Sequence, residues 1–258
     1  MADASAPPTP SVSLVMEPAV PGADEDAAGS LGSAAVLVDG AGLPASLRAG
    51  CAHSVAWYSH LLAARLLGAL QDPALSLREA LRLAIAEVAA AHGPDCRLED
   101  GSPSATVVAV RWGAERLEHL VLADSSLLLD HADGRVDRRT DPRVDEVVAA
   151  HRTVAAVEAR RNAPGGFWVA RHEPTAAEEA RVGSVPLTGL RAVHLVSDGV
   201  TRAVDLLGLH REEGLAWALR EQPRALLAAI REGERALPPE RRPRKVHDDA
   251  TALTVRWD

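Results

Sequence analysis

Aromatic residues and lysine are both scarce in this chain. Phe, Trp and Tyr together make up 3% of its residues, so Ala, Leu and Val must supply most of the packing in any core. Lys245 is the only lysine, and Arg therefore carries nearly all the positive charge, which we interpret as a composition bias. The formal net charge of −8 argues against nonspecific binding to nucleic acid or to an anionic membrane.

Cysteine and long apolar runs are scarce as well. Cys51 and Cys96 are the only cysteines, which argues against a disulfide framework. No Cys-x-x-Cys pair occurs, so the spacing predicts no thiolate zinc site, and we expect Cys51 to be a small buried apolar residue. No run is apolar enough to cross a bilayer, and the N-terminus lacks a signal-peptide pattern. These absences predict a cytoplasmic protein.

The chain has 258 residues, enough for one large core. Residues 1–10 are rich in Ala, Pro and Ser and are expected to be a disordered tail, followed by one domain over residues 11–258. Hydrophobic periodicity and turn signals predict strands at 11–16, 34–39, 105–112, 116–123, 126–131, 134–139, 166–172, 192–197 and 250–257. They predict helices at 50–70, 75–91, 143–161, 174–181, 212–220 and 223–237, and a loop at 17–31.

The short connections predict β-hairpins at 105–123 and 126–139, so the sheets should be largely antiparallel. Strands and helices then form an α+β or layered fold.

Acidic residues recur where apolar runs end. Asp39 closes the run 34–38 and precedes Gly40, and Asp198 closes a second run and precedes Gly199. Asp248 leads into the last apolar run, and Glu25 with Asp26 forms a further acidic pair. We hypothesise that the first three strand ends lie side by side and that their carboxylates share metal ions.

Clustered carboxylates repel one another unless a cation neutralises them. Oxygen ligands favour Mg²⁺ or Mn²⁺. Two such ions bridged by one Asp can lower the pKa of a bound water and hold an anionic substrate. The chemistry that this arrangement favours is hydrolysis of a phosphate ester.

Six short motifs resemble, in order, those of the metal-dependent Ser/Thr protein phosphatases of type 2C, the PPM family. They cover nearly the whole chain and are the following: Glu25-Asp26-Ala27, Val38-Asp39-Gly40-Ala41-Gly42, Ser102-Pro103-Ser104-Ala105-Thr106, Ala123-Asp124-Ser125, Ser197-Asp198-Gly199-Val200-Thr201 and Asp248-Asp249-Ala250-Thr251. The stretch 165–168 and the Pro-Thr-Ala-Ala that follows are similar to small actinobacterial members.

The resemblance implies a four-layer α-β-β-α sandwich with two central, mainly antiparallel sheets. It also implies catalytic roles for Asp39, Asp198 and Asp248. By the same resemblance, Asp39 bridges two ions, the Gly40 carbonyl is a further ligand, and Asp198 and Asp248 complete one ion's shell. Glu25 and Asp26 hold the second ion mostly through water, and Asp124 helps to hold a third, weaker one.

The sequence departs from the family pattern at the phosphate clamp. The family usually has Arg four residues before the matched Glu, and Pro21 stands there in this chain. Ala41 replaces the His proposed as general acid in eukaryotic members. Two places offer candidate replacements for the missing cation. The basic residues just before Asp248 are Arg241, Arg242, Arg244 and Lys245, and a single further candidate, Arg48, follows the turn after Asp39.

The leading prediction is a phosphatase that removes phosphate from phosphoserine or phosphothreonine proteins in cell signalling. Water activated by Mg²⁺ or Mn²⁺ would attack directly, without a covalent phosphoenzyme. The alternative is a phosphatase-like binding or regulatory module with weak or no turnover, because the clamping Arg is absent. A non-phosphatase metal hydrolase is a third, more distant possibility.

Overall fold

The computed structural model describes residues 9–41, 49–151, 153–243 and 245–257. Within these residues the strands are β1 (Ser11–Glu17), β2 (Ala27–Leu31), β3 (Ala34–Ala41), β4 (Ser104–Trp112), β5 (Arg116–Leu122), β6 (Ser126–His131), β7 (Val136–Arg139), β8 (Arg181–Pro186), β9 (Leu190–Val196) and β10 (Ala250–Arg256). The α-helices are α1 (Val55–Ala69), α2 (Leu77–Ala90), α3 (Arg143–Ala150), α4 (Val154–Glu158), α5 (Asp198–Asp205), α6 (Glu212–Glu221) and α7 (Pro223–Ala236).

The strands form two five-stranded sheets. The first has the order β1-β10-β9-β6-β7 and the second has the order β2-β3-β4-β5-β8. Every pair of neighbouring strands is antiparallel. The predicted antiparallel sheets are thereby confirmed, and both predicted hairpins are present as β4–β5 and β6–β7.

The faces of each sheet separate because successive side chains of a strand point to opposite sides. In β3, Leu37 belongs to the core between the two sheets. Its neighbours Val36 and Val38 belong instead to the core beneath α1 and α2. Aliphatic residues from both sheets fill the intersheet core, including Val108, Val121, Leu127, Leu129, Val193, Leu195, Leu253 and Val255.

Helices cover the outer face of each sheet. Leu62 and Leu66 of α1 and Ile85 of α2 pack on the second sheet, whereas Val200 of α5 and Ile230 of α7 pack on the first. The result is the expected α-β-β-α sandwich of four layers.

The pair α1 and α2 begins with well-formed caps. Ser54 accepts a hydrogen bond from the Trp57 N–H at 3.0 Å, which starts α1. Ser76 and Glu79 form a reciprocal capping box at the start of α2. Such side chains satisfy backbone N–H groups that lack partners inside the helix.

Several predicted elements were wrong. The stretch 17–31 is not all loop, because β2 pairs with β3 from Ala27↔Val38 onward. The predicted helix at 143–161 is two helices, since His151 has extended backbone. Residues 166–172 form only isolated bridges, such as Ala105↔Ala170, and no strand.

Other elements were missed or shifted. The prediction placed no element over β8 or over α5. The first predicted helix begins at Val55, five residues later than expected, and residues 174–179 are a 3₁₀ helix. The predicted disordered tail falls largely on residues outside the described ranges. Among the described helices, none combines the length and apolar character needed to cross a bilayer.

Candidate metal centre

The end of β3 brings Asp39 to the rim of the sandwich. Asp39 pairs in register with Thr106 of β4, and it is the first half-buried position after a fully buried run. A Cβ atom on Gly40 would lie 2.5 Å from the Glu25 carbonyl oxygen. Glycine is therefore required for residue 25 to approach the turn.

The end of β9 brings Asp198 to the same region. Ser197 is the N-cap of α5 and Asp198 is its first residue, a position where the helix dipole favours a carboxylate. A Cβ atom on Gly199 would lie 2.0 Å from the Asp249 carbonyl oxygen. The Ser197 hydroxyl also accepts the Thr251 N–H at 2.9 Å. These contacts hold the start of α5 against the entry to β10.

A cavity of about 200 Å³ collects most of the predicted ligands. Its lining consists of Asp39, Gly40, Ala41, Thr106, Asp124, Arg161, Asp198, Lys245 and Asp248. Asp124 reaches it from the β5–β6 turn, where Ala123 has a left-handed φ of 69°. The sequence therefore predicted five residues that this cavity brings together: Asp39, Gly40, Asp124, Asp198 and Asp248.

Of the three strand ends, those that carry Asp198 and Asp248 lie side by side as hypothesised, because β9 and β10 are neighbours in the first sheet. Asp39 ends a strand of the second sheet, whereas Asp198 and Asp248 flank β9 and β10 of the first. Their carboxylates meet across the sandwich. A sequence pattern does not reveal which strands share a sheet, so this geometry was not predictable from strand ends alone.

Glu25 and Asp26 do not line the acidic cavity itself. Glu25 lines an adjacent space of about 400 Å³ that also borders Lys245 and Asp248. The Asp249 carboxylate accepts hydrogen bonds from the backbone N–H groups of Ala19 and Glu25, each at 2.6 Å. Asp249 therefore has a positioning role, because it ties the segment 19–25 to the site.

Asp26 is the most deeply buried acid of the group, at 1% exposure. Neither of its carboxylate oxygens has a hydrogen-bond partner among the described residues. Burial raises the pKa of Asp26 from 3.8 to about 7, because a carboxylate out of water loses its hydration.

The other acids show the same effect of crowding. Burial, followed by the charge of Asp26, raises the pKa of Asp39 well above its usual range. Burial and the nearby Asp124 likewise raise the pKa of Asp198, and burial raises that of Asp124 to about 6. Each negative charge makes the next less favourable, and a divalent cation removes that penalty.

The donor set fits Mg²⁺ or Mn²⁺. Carboxylates and a backbone carbonyl are the hard oxygen ligands that these ions prefer. The unpartnered oxygens of Asp26 have the capacity to accept from water in such an ion's shell.

Two cations line the acidic cavity, and sequence reasoning missed one of them. The Arg161 side chain is 8% exposed and its Nε contacts Glu158 at 2.8 Å, while an Nη atom donates to the Ser104 hydroxyl at 3.2 Å. Its signal in the sequence was weak because it is the last residue of a stretch predicted as one helix. Lys245, predicted as a candidate, contacts Asp248 at 3.2 Å.

Two further basic candidates, Arg241 and Arg242, lie elsewhere. Arg241 and Arg242 donate to the carbonyls of Leu206 and Leu237. Neither lines the acidic cavity in the part of the chain that the structure describes. Arg48 and Arg244 lie outside the described residues. Burial opposes the charge of Lys245, but the charges of Asp248 and other acids outweigh it and raise its pKa.

A buried ion network supports Asp248 from behind. Arg202 of α5 contacts Asp248 at 2.9 Å and Glu234 at 2.6 Å. Glu234 is fully buried and also contacts Arg231 and His247, at 2.9 and 2.7 Å. The network fixes the backbone that leads into β10 and leaves His247 facing Glu234.

Comparison with known proteins agrees with this geometry. Residues 23–235 match the family described as "Protein phosphatase 2C". The serine/threonine phosphatase PstP/Ppp of Mycobacterium tuberculosis superposes with a TM-score of 0.65 at 18% identity, covering 96% of this chain and 99% of that one. Stp1 of Staphylococcus aureus gives 0.63 at 14% identity, with 98% and 97% covered.

A structure of the PstP catalytic domain in complex with two manganese ions also superposes. Its TM-score is 0.59 at 18% identity, and the alignment covers 96% of this chain and 97% of that one. At these identities the similarity shows the fold. Comparison with curated protein sequences gave no match.

Proposed function

The chain belongs to the protein phosphatase 2C family of metal-dependent serine/threonine phosphatases, and we propose that the cavity around Asp39, Asp198 and Asp248 is its active site. The observation that supports this most strongly is the convergence of acids from three separate chain segments on one space. Clustered carboxylates that the fold does not neutralise raise the free energy of the folded state. A cation bound among them removes this penalty and accounts for the clustering.

In this proposal two ions, Mg²⁺ or Mn²⁺, bind in the cavity. Asp39, the Gly40 carbonyl, Asp198 and Asp248 would supply their protein ligands. Glu25 and Asp26 would hold water molecules of the ions, and Asp124 would help to hold a third, weaker ion. When bound, the ion pair supplies the Lewis acidity that makes a water molecule nucleophilic at neutral pH.

Arg161 and Lys245 orient the phosphate of a phosphoserine or phosphothreonine protein. Both border the acidic cavity, and the planar guanidinium of Arg161 matches two phosphate oxygens. They supply the positive charge that Pro21 removes from the family's usual position. The main argument for a turnover-deficient binding module, the lost clamp, is therefore weakened.

The test is hydrolysis of p-nitrophenyl phosphate and of a phosphothreonine peptide with Mn²⁺. We expect Asp39→Asn and Asp198→Asn to lower kcat by about a thousandfold or more, since several kcal/mol of charge stabilisation is lost. Asp205→Asn is the matched control. Asp205 lies on α5, the helix that begins with Asp198, and it pairs with Arg138 at 2.8 Å. It should keep normal turnover.

Two results would contradict the proposal. One is full activity in Asp39→Asn, which would place the chemistry elsewhere. The other is no turnover in the wild type with Mn²⁺ binding retained, which would favour the binding-module alternative. The cytoplasmic location, the signalling role and the absence of nucleic-acid or membrane binding stay predictions from the sequence.

A further inference from the structure

Two cysteines and two histidines meet at the base of the α1–α2 pair. Cys51 and His53 lie in the segment just before α1, and His92 and Cys96 follow the end of α2. All four are half-buried. None of them lines the acidic cavity. The expectation of a buried Cys51 was therefore wrong, because its thiol faces this second cluster.

Three of the distances in this cluster match those between ligand atoms of a tetrahedral metal shell. The Cys51 and Cys96 sulfurs are 3.5 Å apart, and each lies 3.4 Å from Nδ1 of His53. With Zn–S near 2.3 Å and Zn–N near 2.0–2.1 Å, neighbouring ligand atoms of tetrahedral zinc are about 3.3–3.8 Å apart. Three donor atoms thus already form one face of such a shell.

His92 has the tautomer that a fourth ligand requires. Its Nδ1 lies 2.9 Å from the Val88 carbonyl oxygen, which only accepts, so Nδ1 carries the proton and Nε2 carries the lone pair. The Nε2 atom is buried and has no hydrogen-bond partner among the described residues. Metal-bound histidines commonly donate their other N–H to a backbone carbonyl in this way.

One ligating atom from each of Cys51, His53 and His92 falls within 4.8 Å of the others. The surrounding packing holds these rings in place. Trp57 stacks on His53 with 3.9 Å between ring centroids and meets His92 edge-on at 4.8 Å.

The backbone of the two segments is also joined. The Arg97 N–H donates to the Gly50 carbonyl at 2.7 Å. The cluster is thus built on two chain segments that a backbone hydrogen bond joins directly, which is the preorganisation that a metal site needs.

We propose that Cys51, His53, His92 and Cys96 bind one Zn²⁺ ion as a structural site. Thiolate and imidazole ligands select zinc over the harder ions that suit the acidic cavity, so the two sites take different metals. Two thiolates and two neutral imidazoles balance the charge of the ion. The ion clips the segment before α1 to the end of α2, beneath the helices that cover β3 and Asp39.

The spacing explains why sequence reasoning predicted no such site. The ligands follow the pattern Cys-x-His and His-x₃-Cys, and each half contributes one thiolate. A search for two cysteines spaced as Cys-x-x-Cys does not detect this arrangement. Only the fold of the α1–α2 pair brings the halves together.

The test measures zinc directly and does not depend on phosphatase activity. The full chain is loaded with Zn²⁺ under reducing conditions, treated briefly with a chelator, and analysed by mass spectrometry for metal content. Wild type and Asp39→Asn should each retain about one zinc ion per chain, as expected of a closed four-ligand site. Cys51→Ser and Cys96→Ser should retain less than about a tenth of that amount.

Asp95→Asn is the matched control, because Asp95 lies beside Cys51 and His53 in the same surface depression. It should keep its zinc. Loading with Co²⁺ provides a second signature, since sulfur-to-cobalt absorption should appear in wild type and in Asp95→Asn and vanish in both Cys variants.

Thiol modification of the wild type covers the case in which a Cys variant does not fold. Titration with a mercurial should release the zinc in proportion to the thiols modified. No retained zinc in the reduced wild type would overturn the proposal. So would zinc that is lost in Asp39→Asn and kept in the Cys variants, because that ion would sit in the acidic cavity. A Cys51–Cys96 disulfide that forms equally fast with and without Zn²⁺ would overturn it as well.

Discussion

Two buried acids of this molecule, Glu234 and Asp26, have pKa values shifted in opposite directions. Glu234 is fully buried and contacts Arg202, Arg231 and His247. Burial opposes its charge, but hydrogen bonds from these groups outweigh burial and lower its pKa. Asp26 is equally buried, has no such partner among the described residues, and has a pKa raised to about 7.

This difference in pKa separates acids that cations of the chain compensate from acids that need a bound cation for compensation. The Glu234 network completes itself with cations of the chain, so it needs nothing further to be stable. In the acidic cavity, four acids face only two lining cations, Arg161 and Lys245, among the described residues. Compensation is therefore incomplete, and the remaining negative charge lowers the stability of the metal-free fold. Arg202 links the two regions, because it contacts both Glu234 and Asp248.

The most direct test of this difference between Glu234 and Asp26 is to replace each acid in turn by its neutral amide. Glu234→Gln removes the buried carboxylate that Arg202 and Arg231 share, although Arg202 keeps its contact with Asp248 and Arg231 its contact with Glu17. It should cost about 3 kcal/mol of unfolding free energy. Asp26→Asn removes an uncompensated charge, so in metal-free protein at pH 7.5 it should leave stability unchanged or raise it. Urea denaturation without metal measures both, and equal losses in the two variants would refute the distinction.

The second prediction uses pH. Asp26 and Asp124 have folded pKa values of about 7 and about 6, against an ordinary 3.8. The folded state then binds more protons than the unfolded state between these values, so the free energy of unfolding falls as pH rises from about 4 to about 7. We expect a loss on the order of a few kcal/mol in metal-free protein.

Saturating Mn²⁺ should remove most of that loss, and Asp26→Asn should reduce it. Thermal or urea unfolding at a series of pH values measures the slope. A metal-free profile that is flat across this range would show that the acids are compensated after all.

The third prediction concerns Arg161, a cation of the acidic cavity that we propose orients the substrate phosphate. Arg161→Ala should lower kcat/KM by about ten- to a hundredfold through loss of a charge-assisted phosphate contact, mainly as a rise in KM. Arg161→Lys should recover part of it. Arg65→Ala is the control, since Arg65 is half exposed on α1 and pairs with Glu87 at 3.7 Å. Unchanged KM in Arg161→Ala would remove this residue from phosphate binding.

The smallest expected effect concerns Ser125, a neutral partner of the acidic cavity. Its hydroxyl lies 3.4 Å from Asp39 Oδ2 and 2.5 Å from the Thr106 hydroxyl. Ser125→Ala should weaken Mn²⁺ binding about tenfold, because outer hydrogen bonds orient the ligands. Calorimetry measures the affinity, and an unchanged value would mean that Asp39 is oriented by its strand alone.

Much of the fold was predictable because the period of the apolar residues differs between strands and helices. The runs around Val38 and Leu195 identify buried strands without ambiguity. The weak strand β2, with the sequence Ala-Ala-Gly-Ser-Leu, was not predictable, because its pairing with β3 rather than its own propensity forms it. The helix α5 was missed for a similar reason, since Asp198 and Gly199 read as a turn.

The site residues were predictable only where an acidic residue adjoins the end of an apolar strand. Asp39 and Asp198 stand out because each follows an apolar run, and Asp248 stands out because it leads into one. Arg161 has no such context, and it reaches the cavity only through the fold. The cluster of Cys51 with Cys96 likewise joins residues that are far apart in the chain, so spacing rules do not detect it.

The most direct test of the central claim is calorimetric titration of metal-free protein with Mn²⁺ at about pH 6.5, in two buffers with different ionisation heats. If the acids around Asp39 are uncompensated until a cation binds, Mn²⁺ will bind saturably and release protons, because carboxyls of raised pKa must ionise. Asp39→Asn will bind weakly or not at all. Mn²⁺ binding that releases no protons, or that persists unchanged in Asp39→Asn, would contradict the account.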